Sequence, residues 1–509
     1  MKLLKLLFSK IFISALALLI QLAFFVIVIL FYETYFTLFQ AISLAFGILI
    51  FLNLINKKES CEFTLPWIVI ILIVPFYGTL IYCMFANSKM PTRQYKIMVS
   101  NVCRCKPFFE MTPEENRKIL DFTAECAGLE HYLRKNSFSR GSLDNKVEYF
   151  PSGESFYKDL LTELEKAEKF IFMEYFIIER GKMWNGILDI LTRKAAEGVE
   201  VRVMYDDIGC AGLIPANYYK RLRKLGINCR KFNTFLPVVS GIHNNRDHRK
   251  ITVIDGKVSY TGGVNLADEY INEKCRFGHW KDTAVKICGP ATGNLTALFL
   301  QMYDSSDKSE KDYSAYLDIE YERYEDGGYV HPFGDGPRPV YTEMVGSNNY
   351  INIINAATDY VYVSTPYLIP DYNLMSALKN AAFRGVDVRI ITPHVPDKKI
   401  IFNMTRSNYD TLLRAGVRIY EYTPGFIHSK AMVADGDKAF VGTVNLDYRS
   451  LVHHYECGAV MYKTPCIADI KADFDKTLEF SGEITRDNFR MGFWASLVNT
   501  FLTLFSPML

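Results

Sequence analysis

Long apolar runs without charged residues set the first 90 residues apart from the rest of the chain. Three such runs of 22 residues are Ile11–Tyr32, Thr34–Ile55 and Leu65–Ala86. As a helix, each is long enough to cross a hydrocarbon core of about 30 Å. A secretory signal peptide has a shorter apolar region followed by a small-residue cleavage site. The pattern therefore predicts an α-helical membrane anchor over residues 1–90.

The basic residues around these runs bear on the topology of the anchor. Basic groups precede the first run and follow the second and third: Lys2, Lys5, Lys10, Lys57, Lys58, Lys89, Arg93 and Lys96. The positive-inside tendency places all three groups in the cytoplasm. That fits a hairpin of the first two runs and a third run that re-enters, broken at Pro75-Phe76-Tyr77-Gly78. Three plain spans are the alternative, and we expect a multi-pass protein whose region beyond the anchor faces the cytoplasm.

Beyond the anchor, helical apolar spacing alternates with short apolar runs typical of buried strands. The run Phe170–Ile178 and the alternating Val199, Val201 and Val203 predict strands, and the pattern returns at Tyr360–Val363 and Val386–Ile391. We therefore predict an α/β protein with two homologous halves. The expected boundaries are an anchor at 1–90, a connector at 91–145, a first half at 146–304, a linker at 305–330 and a second half at 331–509.

One motif occurs once in each half. The segment His248-Arg249-Lys250-Ile251-Thr252-Val253-Ile254-Asp255 returns 180 residues later as His428-Ser429-Lys430-Ala431-Met432-Val433-Ala434-Asp435. Each copy is followed at the same distance by a small-residue turn and an asparagine, in Gly262-Gly263-Val264-Asn265 and Gly442-Thr443-Val444-Asn445. The repetition predicts that each half donates one histidine and one lysine to a shared site.

Local signals predict that each copy is a β-hairpin. Asp255-Gly256 and Asp435-Gly436 are favoured tight-turn pairs between apolar, partly β-branched runs. The two aspartates are candidates for catalysis, but a structural role in the turn is an alternative explanation. A histidine and a lysine two residues apart on a strand point to one face of the sheet.

These residue types suit the chemistry of a phosphodiester. Lys250 and Lys430 can neutralise the nonbridging oxygens, and Asn265 and Asn445 can add hydrogen-bond donors. One neutral histidine can attack phosphorus while a protonated one donates to the leaving alcohol. Their surroundings should therefore push the pKa values of the two histidines apart. Each histidine also needs a carboxylate to fix its tautomer.

The paired motifs resemble the HKD motifs of the phospholipase D superfamily. The flanking sequence narrows the resemblance to bacterial cardiolipin synthases, and it runs from the apolar region to the last residues. The matching positions are Trp67, Pro75, Gly78, Tyr82, Glu174-Tyr175, Tyr205-Asp206-Asp207-Ile208-Gly209, Asp268-Glu269-Tyr270, Trp280-Lys281-Asp282-Thr283, Thr365-Pro366-Tyr367-Leu368-Ile369-Pro370, Asn445-Leu446-Asp447-Tyr448-Arg449-Ser450 and Ser506-Pro507-Met508-Leu509.

The resemblance implies two pseudo-twofold-related phospholipase D-type halves, each a mixed sheet flanked by helices. It implies that His248 attacks one phosphatidylglycerol to form a phosphatidyl-histidine, while His428 protonates the departing glycerol. His428 then acts as the base toward a second phosphatidylglycerol. It also implies that an acidic residue downstream of each motif orients the histidine of the other half, and Asp282 and Glu456 are the candidates. No metal or other cofactor is expected.

The resemblance further implies a bacterial cell membrane location and anionic phospholipid partners, with oligomerisation left open. Net charge is +2, and no continuous aromatic-basic track is present, which argues against a membrane-tethered nuclease. The 11 cysteines indicate free thiols in a reducing compartment. A hydrolase using water, or a transferase with another donor or alcohol, remains an alternative.

Two local features add to this picture. Six of the twelve residues from Lys220 to Lys231 are basic, which suits either an anionic lipid surface or a solvated helix face. In place of an expected asparagine before Tyr455-Glu456, the chain has His453-His454. Ordinary core or rim histidines are the favoured interpretation, with a metal pair as the alternative.

Overall fold

The computed structural model describes residues 36–56, 61–86, 90–234, 244–307, 309, 311–325, 327–489, 492 and 501–508, with isolated residues between 19 and 31. Two compact units form within the chain. The first comprises Met1–Lys89, Asn233–Asn245 and Thr500–Leu509, and the second comprises Met90–Phe232 and Arg246–Asn499.

Three helices make up most of the described part of the first unit: α1 (Phe36–Asn56), α2 (Cys61–Ile73) and α3 (Pro75–Phe85). Leu54, Trp67 and Ile71 form a small buried apolar cluster, and the Trp67 ring meets Tyr82 edge-on at 5.3 Å. The break between α2 and α3 falls at Val74. Pro75 causes it, because a proline has no N–H to donate and disfavours helical geometry at the preceding residue.

The predicted multi-pass membrane topology is wrong. Among the described residues, no helix is both long and apolar enough to cross a membrane. The third apolar run is divided into helices of 13 and 11 residues, whereas a span needs about 20. The first run, Ile11–Tyr32, lies almost entirely outside the described residues. The predicted anchor is therefore not confirmed, and the location in a bacterial cell membrane is not retained.

The second unit begins with three helices before its first sheet: α4 (Thr92–Cys105), α5 (Pro113–Phe122) and α6 (Ala127–Asn136). At the start of α5 the Thr112 hydroxyl accepts from the Glu115 amide, and the Glu115 carboxylate accepts from the Thr112 amide. This reciprocal cap satisfies two amides that a helix start would otherwise leave unpaired.

The first half of this unit contains eight strands and four helices. The strands are β1 (Lys146–Phe150), β2 (Phe170–Tyr175), β3 (Glu200–Asp206), β4 (Asn228–Phe232), β5 (Lys250–Ile254), β6 (Val258–Gly262), β7 (His279–Lys281) and β8 (Ala284–Cys288). The helices are α7 (Gly153–Glu165), α8 (Lys182–Ala196), α9 (Tyr218–Lys224) and α10 (Thr292–Tyr303). All strands except β7 form one sheet in the order β1-β8-β6-β5-β2-β3-β4. Within it β2, β3 and β4 are parallel and the other neighbours are antiparallel.

The remaining strands and helices follow along the chain from residue 314 onward. The strands are β9 (Tyr329–Asp335), β10 (Tyr360–Ser364), β11 (Leu368–Ile369), β12 (Asp387–Pro393), β13 (Arg418–Tyr422), β14 (Gly425–Ile427), β15 (Ala431–Ala434), β16 (Lys438–Gly442), β17 (Leu446–Asp447), β18 (Glu456–Tyr462) and β19 (Ser481–Ile484). The helices are α11 (Ser314–Leu317), α12 (Val345–Ala356), α13 (Tyr372–Phe383), α14 (Lys399–Ser407), α15 (Tyr409–Arg414) and α16 (Cys466–Glu479).

The second sheet repeats the order of the first. Its order is β19-β13-β12-β10-β15-β16-β18-β9, so β9, β18, β16, β15, β10, β12 and β13 correspond to the seven strands of the first sheet. Only β19 is additional. The predicted mixed α/β fold with two sheet-containing halves is therefore confirmed.

Buried apolar side chains form two large clusters, one with residues from both sheets and one mainly from the first half. Phe172 of β2 stacks on Phe299 of α10 with centroids 4.7 Å apart, and both belong to the same cluster as Val433 of β15 and Phe440 of β16. Every residue of β2 is buried. That burial explains why this strand is an apolar run without alternation.

Two short pairings join the halves directly. Strand β14 of the second half pairs in parallel with β7 of the first, with Phe426 opposite Trp280. Asp247 forms an isolated bridge with Tyr455. Both pairings lie next to a motif histidine, so the contact between the halves coincides with the repeated motif.

Candidate active site

Each motif histidine is anchored by the backbone of the other half. His248 lies two residues before β5, and its amide donates to the carbonyl of Tyr455 at 2.9 Å. The amide of His428 donates to the carbonyl of Lys281 at 2.7 Å. The two histidines are therefore positioned by equivalent contacts that cross between the halves.

The side chains of these histidines bond to carboxylates across the same boundary. His248 Nδ1 lies 2.9 Å from both carboxylate oxygens of Glu456, and His428 Nδ1 lies 2.6 Å from Asp282 Oδ2. Both carboxylates are fully buried. When Nδ1–H donates to a carboxylate, the Nε2 of a neutral imidazole keeps its lone pair. Both rings can therefore act as a base or nucleophile through Nε2.

Burial lowers the pKa of both histidines. That of His248 falls to about 3 although the Glu456 charge opposes the shift. That of His428 falls well below its usual value, because Lys430 and Lys250 add to the effect of burial. The sequence predicted that the two pKa values are pushed apart, whereas in the structure both are lowered, which favours the neutral form of each ring. The cause is that both are desolvated and that the charge of Lys250 acts on both.

The two motif lysines are buried beside the histidines. Lys250 Nζ donates to the carbonyl of His248 at 2.6 Å, and Lys430 Nζ donates to the carbonyl of His428. Burial lowers the pKa of Lys250 to about 8 and that of Lys430 to about 7. An anion placed against these ammonium groups would offset the cost of their desolvation.

The carboxylate partners differ in their own surroundings. Glu456 also accepts from the hydroxyls of Thr443 and Ser450, the latter at 2.5 Å. Burial alone would raise the pKa of Glu456, but His248 outweighs it and holds this pKa below its usual range. Burial raises the pKa of Asp282 to about 6, against the opposing charge of Lys430.

Thr443 and Ser450 are functional candidates that the sequence did not single out. Thr443 stands where the first repeat has Gly263. A Cβ at Gly263 would approach Asp282 Oδ1 to 2.0 Å. The first half therefore needs a glycine beside the Asp282 carboxylate. The second half has room at this position for the Thr443 hydroxyl, which donates to the Glu456 carboxylate. The difference between threonine and glycine at this position of the two repeats could have identified Thr443 from the sequence.

The two asparagines that follow the motifs have different environments. Asn265 Oδ1 accepts from the Ile177 amide at 3.0 Å, and its Nδ2 donates to the Tyr270 hydroxyl at 2.7 Å. The amide of Asn445 donates to Ser450 Oγ at 2.8 Å, and within the described structure the buried Asn445 Oδ1 has no hydrogen-bond partner. The Asn265 side chain is thus already engaged in holding the loop after β2.

The motif aspartates lie at the opposite ends of β5 and β15 from the histidines. Asp255 accepts from three successive amides, those of Glu168, Lys169 and Phe170, at 2.7–2.8 Å. Asp435 accepts in the same way from the amides of 358–360 at 2.9–3.0 Å. Both residues have a positive φ, of 52° and 51°. The structure thus places them in the turns and does not bring them to the histidines, so their contacts favour the structural role over the catalytic one.

Aromatic side chains surround both imidazoles. The Phe176 centroid lies 5.0 Å from that of His248. Trp280 and Tyr270 lie 5.3 and 5.5 Å from His428. Such walls restrict access of water and strengthen the electrostatic interactions within the site.

Outside this site, the basic segment near Lys220 is divided in two by its surroundings. Lys220, Arg221, Arg223 and Lys224 on and beside α9 are exposed. Farther along, Arg230 pairs with Asp304 and Lys231 pairs with Asp207, both at 3.1 Å. Only the helical part therefore offers positive charge to the solvent.

Comparison with known proteins links this geometry to lipid enzymes. The sequence family described as "Cardiolipin synthase, PLD-like domain" matches residues 160–276 and 350–478. An uncharacterized protein of Streptococcus mutans is 45% identical over 436 residues, covering 86% of this chain and 94% of that protein. A cardiolipin synthase of Alkalihalophilus pseudofirmus is 33% identical over 469 residues, covering 91% of each chain.

A solved structure shows the same fold at low sequence identity. Phosphatidylserine synthase of Haemophilus influenzae superposes with a TM-score of 0.55 at 15% identity. The match covers 75% of this chain and 98% of that one. The two-sheet arrangement is therefore shared with a protein whose sequence has diverged far from this one.

Proposed function

The chain belongs to the cardiolipin synthase family, and from this premise we propose that it transfers a phosphatidyl group between two phosphatidylglycerol molecules through a phosphohistidine intermediate. The products are cardiolipin and glycerol. One observation carries the proposal: two histidines from different halves each bond through Nδ1 to a buried carboxylate of the opposite half. That leaves two Nε2 atoms to perform attack and proton transfer.

In the first step His248 Nε2 attacks the phosphorus of one phosphatidylglycerol. The P–O bond to the head-group glycerol breaks as the P–N bond forms, and His428 supplies the proton that the glycerol oxygen takes up. Glu456 holds the positive imidazole that results. Low pKa values in the free protein suit a neutral nucleophile at position 248. The anionic phosphate of the bound lipid would raise the pKa of His428 and so favour its protonated form.

In the second step His428 removes a proton from the terminal hydroxyl of a second phosphatidylglycerol. That oxygen attacks phosphorus, the P–N bond to His248 breaks, and cardiolipin leaves. Asp282 stabilises the imidazolium at position 428. Lys250 and Lys430 carry the charge that neutralises the phosphate oxygens in both steps, and Asn445 is a further candidate donor to the same oxygens.

The similar strand orders of the two sheets support a pseudo-twofold relation between the halves. Residues 146–304 and 331–509 would be the two repeats, with 305–330 linking them and 91–145 preceding them. Anionic phospholipids are the proposed partners, and the exposed basic face of α9 suits them. A nucleic-acid substrate is disfavoured by the net charge of +2.

A test of the function supplies purified protein with phosphatidylglycerol as the sole lipid in mixed micelles. We expect cardiolipin and free glycerol in equal amounts. Phosphatidic acid as the main product would instead identify a hydrolase. Conversion only after addition of a different donor lipid or alcohol would identify a transferase of another specificity.

The assignment of the nucleophile has its own test. Phosphatidylglycerol labelled with ³²P should transfer label to wild-type protein in an acid-labile, base-stable form during turnover. His428→Ala should still accept label slowly, whereas His248→Ala should not. Label on His248→Ala but not on His428→Ala would reverse the two roles.

A further inference from the structure

A third histidine stands beside the His248–Glu456 pair. His454 Nδ1 lies 3.7 Å from Glu456 Oε1, which is beyond hydrogen-bonding distance. The centroid of its ring is 5.4 Å from that of His248. Both ring nitrogens are buried, and among the described residues neither has a hydrogen-bond partner. A desolvated imidazole without a partner is costly and calls for a ligand.

A π-helical turn holds His454 in this place. The turn spans Arg449–His453, and the His454 amide closes it by donating to the Arg449 carbonyl at 2.9 Å. The extra residue of such a turn redirects the chain, and π-turns occur often at functional sites. The same turn carries Ser450, whose hydroxyl bonds to Glu456. The backbone thus fixes His454 and Glu456 relative to each other.

From this geometry we propose that His248, His454 and Glu456 form a binding site for a zinc-class transition-metal ion, and that the bound ion blocks the reaction. One ligand atom from each of the three lies within 4.8 Å of the others. Tetrahedral coordination with bonds of about 2.0–2.1 Å separates ligand atoms by roughly 3.3 Å. The distances from Glu456 Oε1 to His248 Nδ1, 2.9 Å, and to His454 Nδ1, 3.7 Å, lie on either side of that value.

The ligand set selects the kind of ion. Two imidazoles and one carboxylate favour Zn²⁺ or Co²⁺ over Mg²⁺ and Ca²⁺, which prefer oxygen. Lys250 is the cation that faces this group, and its charge acts on both His248 and Glu456. An ion held mainly by charge would be repelled there, whereas one that forms bonds to nitrogen can still bind.

Binding would stop the proposed reaction at its first step. The ion takes the place of the Nδ1 proton of the neutral His248 imidazole, and that proton moves to Nε2, whose lone pair is then no longer available for attack. Glu456 then no longer orients and stabilises the His248 imidazole as phosphorus is attacked. The inhibition therefore rests on the proposed function, but the binding does not.

The binding test uses the full chain in detergent without lipid. We expect one Co²⁺ per molecule with a visible absorption band of tetrahedral cobalt, displaced by Zn²⁺ but not by Mg²⁺. His454→Asn should weaken binding by at least about 10-fold, as expected for loss of a ligand. The adjacent His453→Asn is the matched control and should bind as the wild type does. Circular dichroism of each variant checks that it is folded.

The inhibition test measures lipid exchange in the same proteins. Zn²⁺ should inhibit wild type and His453→Asn at similar concentrations, and EDTA should reverse the inhibition. His454→Asn should keep its turnover without Zn²⁺, and its inhibition should require at least about 10-fold more Zn²⁺. Cobalt binding that is unchanged in folded His454→Asn overturns the site. Binding through His454 without inhibition overturns the ligand role of His248. Absence of any exchange with normal cobalt binding would count against the proposed function and leave the site intact.

Discussion

At the scale of single residues, the second half holds its carboxylate more tightly than the first. Glu456 accepts from His248, Thr443 and Ser450, whereas Asp282 bonds to His428 and the Thr283 amide. Burial acts to raise the pKa of both carboxylates, but His248 outweighs it at Glu456 and lowers that pKa, whereas the pKa of Asp282 is raised to about 6. The carboxylate beside the proposed nucleophile is therefore the one fixed as an anion.

Glu456→Gln should slow lipid exchange by roughly 10²- to 10⁴-fold, because an amide can stabilise the wrong tautomer of His248 and cannot stabilise the imidazolium. The measurement is the steady-state rate of cardiolipin formation. Glu421→Gln is the matched control, since Glu421 is also buried and also bonds to a histidine, His394, at 2.9 Å outside this site. Near-normal turnover of folded Glu456→Gln would remove the residue from its role.

The pH dependence should report the motif lysines. Lys430 has a pKa lowered to about 7 and Lys250 one lowered to about 8. Each is charged below its pKa and loses that charge as pH rises through it. Since the charged lysines bind the phosphate, kcat/KM should fall between pH 7 and 8. The bound anion raises the pKa values of both lysines, so kcat should fall only at higher pH. A kcat/KM that is flat from pH 6 to 9 would contradict this.

At the scale of the elements, each repeated hairpin has its proposed catalytic residues at one end of the first strand and its turn residue at the other. The histidine lies before the strand, the lysine begins β5 or precedes β15 directly, and the aspartate turns the chain at the far end. The carboxylate of Asp255 ties this turn to the start of β2, and that of Asp435 ties its turn to the start of β10. The aspartates thus fix the central strands of the two sheets in register.

Asp255→Ala and Asp435→Ala should each destabilise the protein by about 1–3 kcal/mol, because three amides lose a charged acceptor and alanine tolerates positive φ poorly. Thermal unfolding followed by circular dichroism measures the loss. Asp255→Asn is the control, since asparagine keeps one acceptor and adopts this conformation more readily, so its melting temperature should fall less. Exchange per folded molecule should be nearly unchanged. Loss of turnover without loss of stability would instead indicate that the aspartates are catalytic.

At the scale of the whole second unit, neither half can form its histidine–carboxylate pair alone. The chain distances between partners are 208 residues for His248 and Glu456 and 146 for His428 and Asp282. The two pairs also share their electrostatic surroundings, because Lys250 contributes to the lowered pKa of His428. The site therefore forms only when the two sheets are folded and packed.

Because the proposed reaction uses only side chains of the protein, lipid exchange should proceed at full rate in EDTA. A metal-dependent phosphodiesterase would lose activity in the chelator and regain it with added ion. The measurement is cardiolipin formation after dialysis against EDTA, compared with and without Mg²⁺. Strict dependence on Mg²⁺ would contradict the mechanism. A rise in activity with EDTA in zinc-contaminated preparations is expected from the inhibitory site.

The sequence alone was sufficient to predict the two α/β halves, because apolar periodicity and the repeated motif are local signals. It also predicted the turns at Asp255 and Asp435 as an alternative to catalysis, since Asp-Gly favours a tight turn whatever the surroundings. It also predicted the break of the run Leu65–Ala86 at Pro75. It was wrong about the multi-pass topology, because among the described residues no helix is long and apolar enough to cross a membrane.

Only the tertiary structure decided the distances and protonation states within the site. The resemblance pointed to Asp282 and Glu456, but their contacts with the histidines depend on how two sheets pack. The shared downward shift of both histidine pKa values could not be read from residue types, because burial causes it. The position of His454 depends on one π-turn. Local patterns specify elements, whereas desolvation and contacts between residues distant in the chain exist only once those elements have packed.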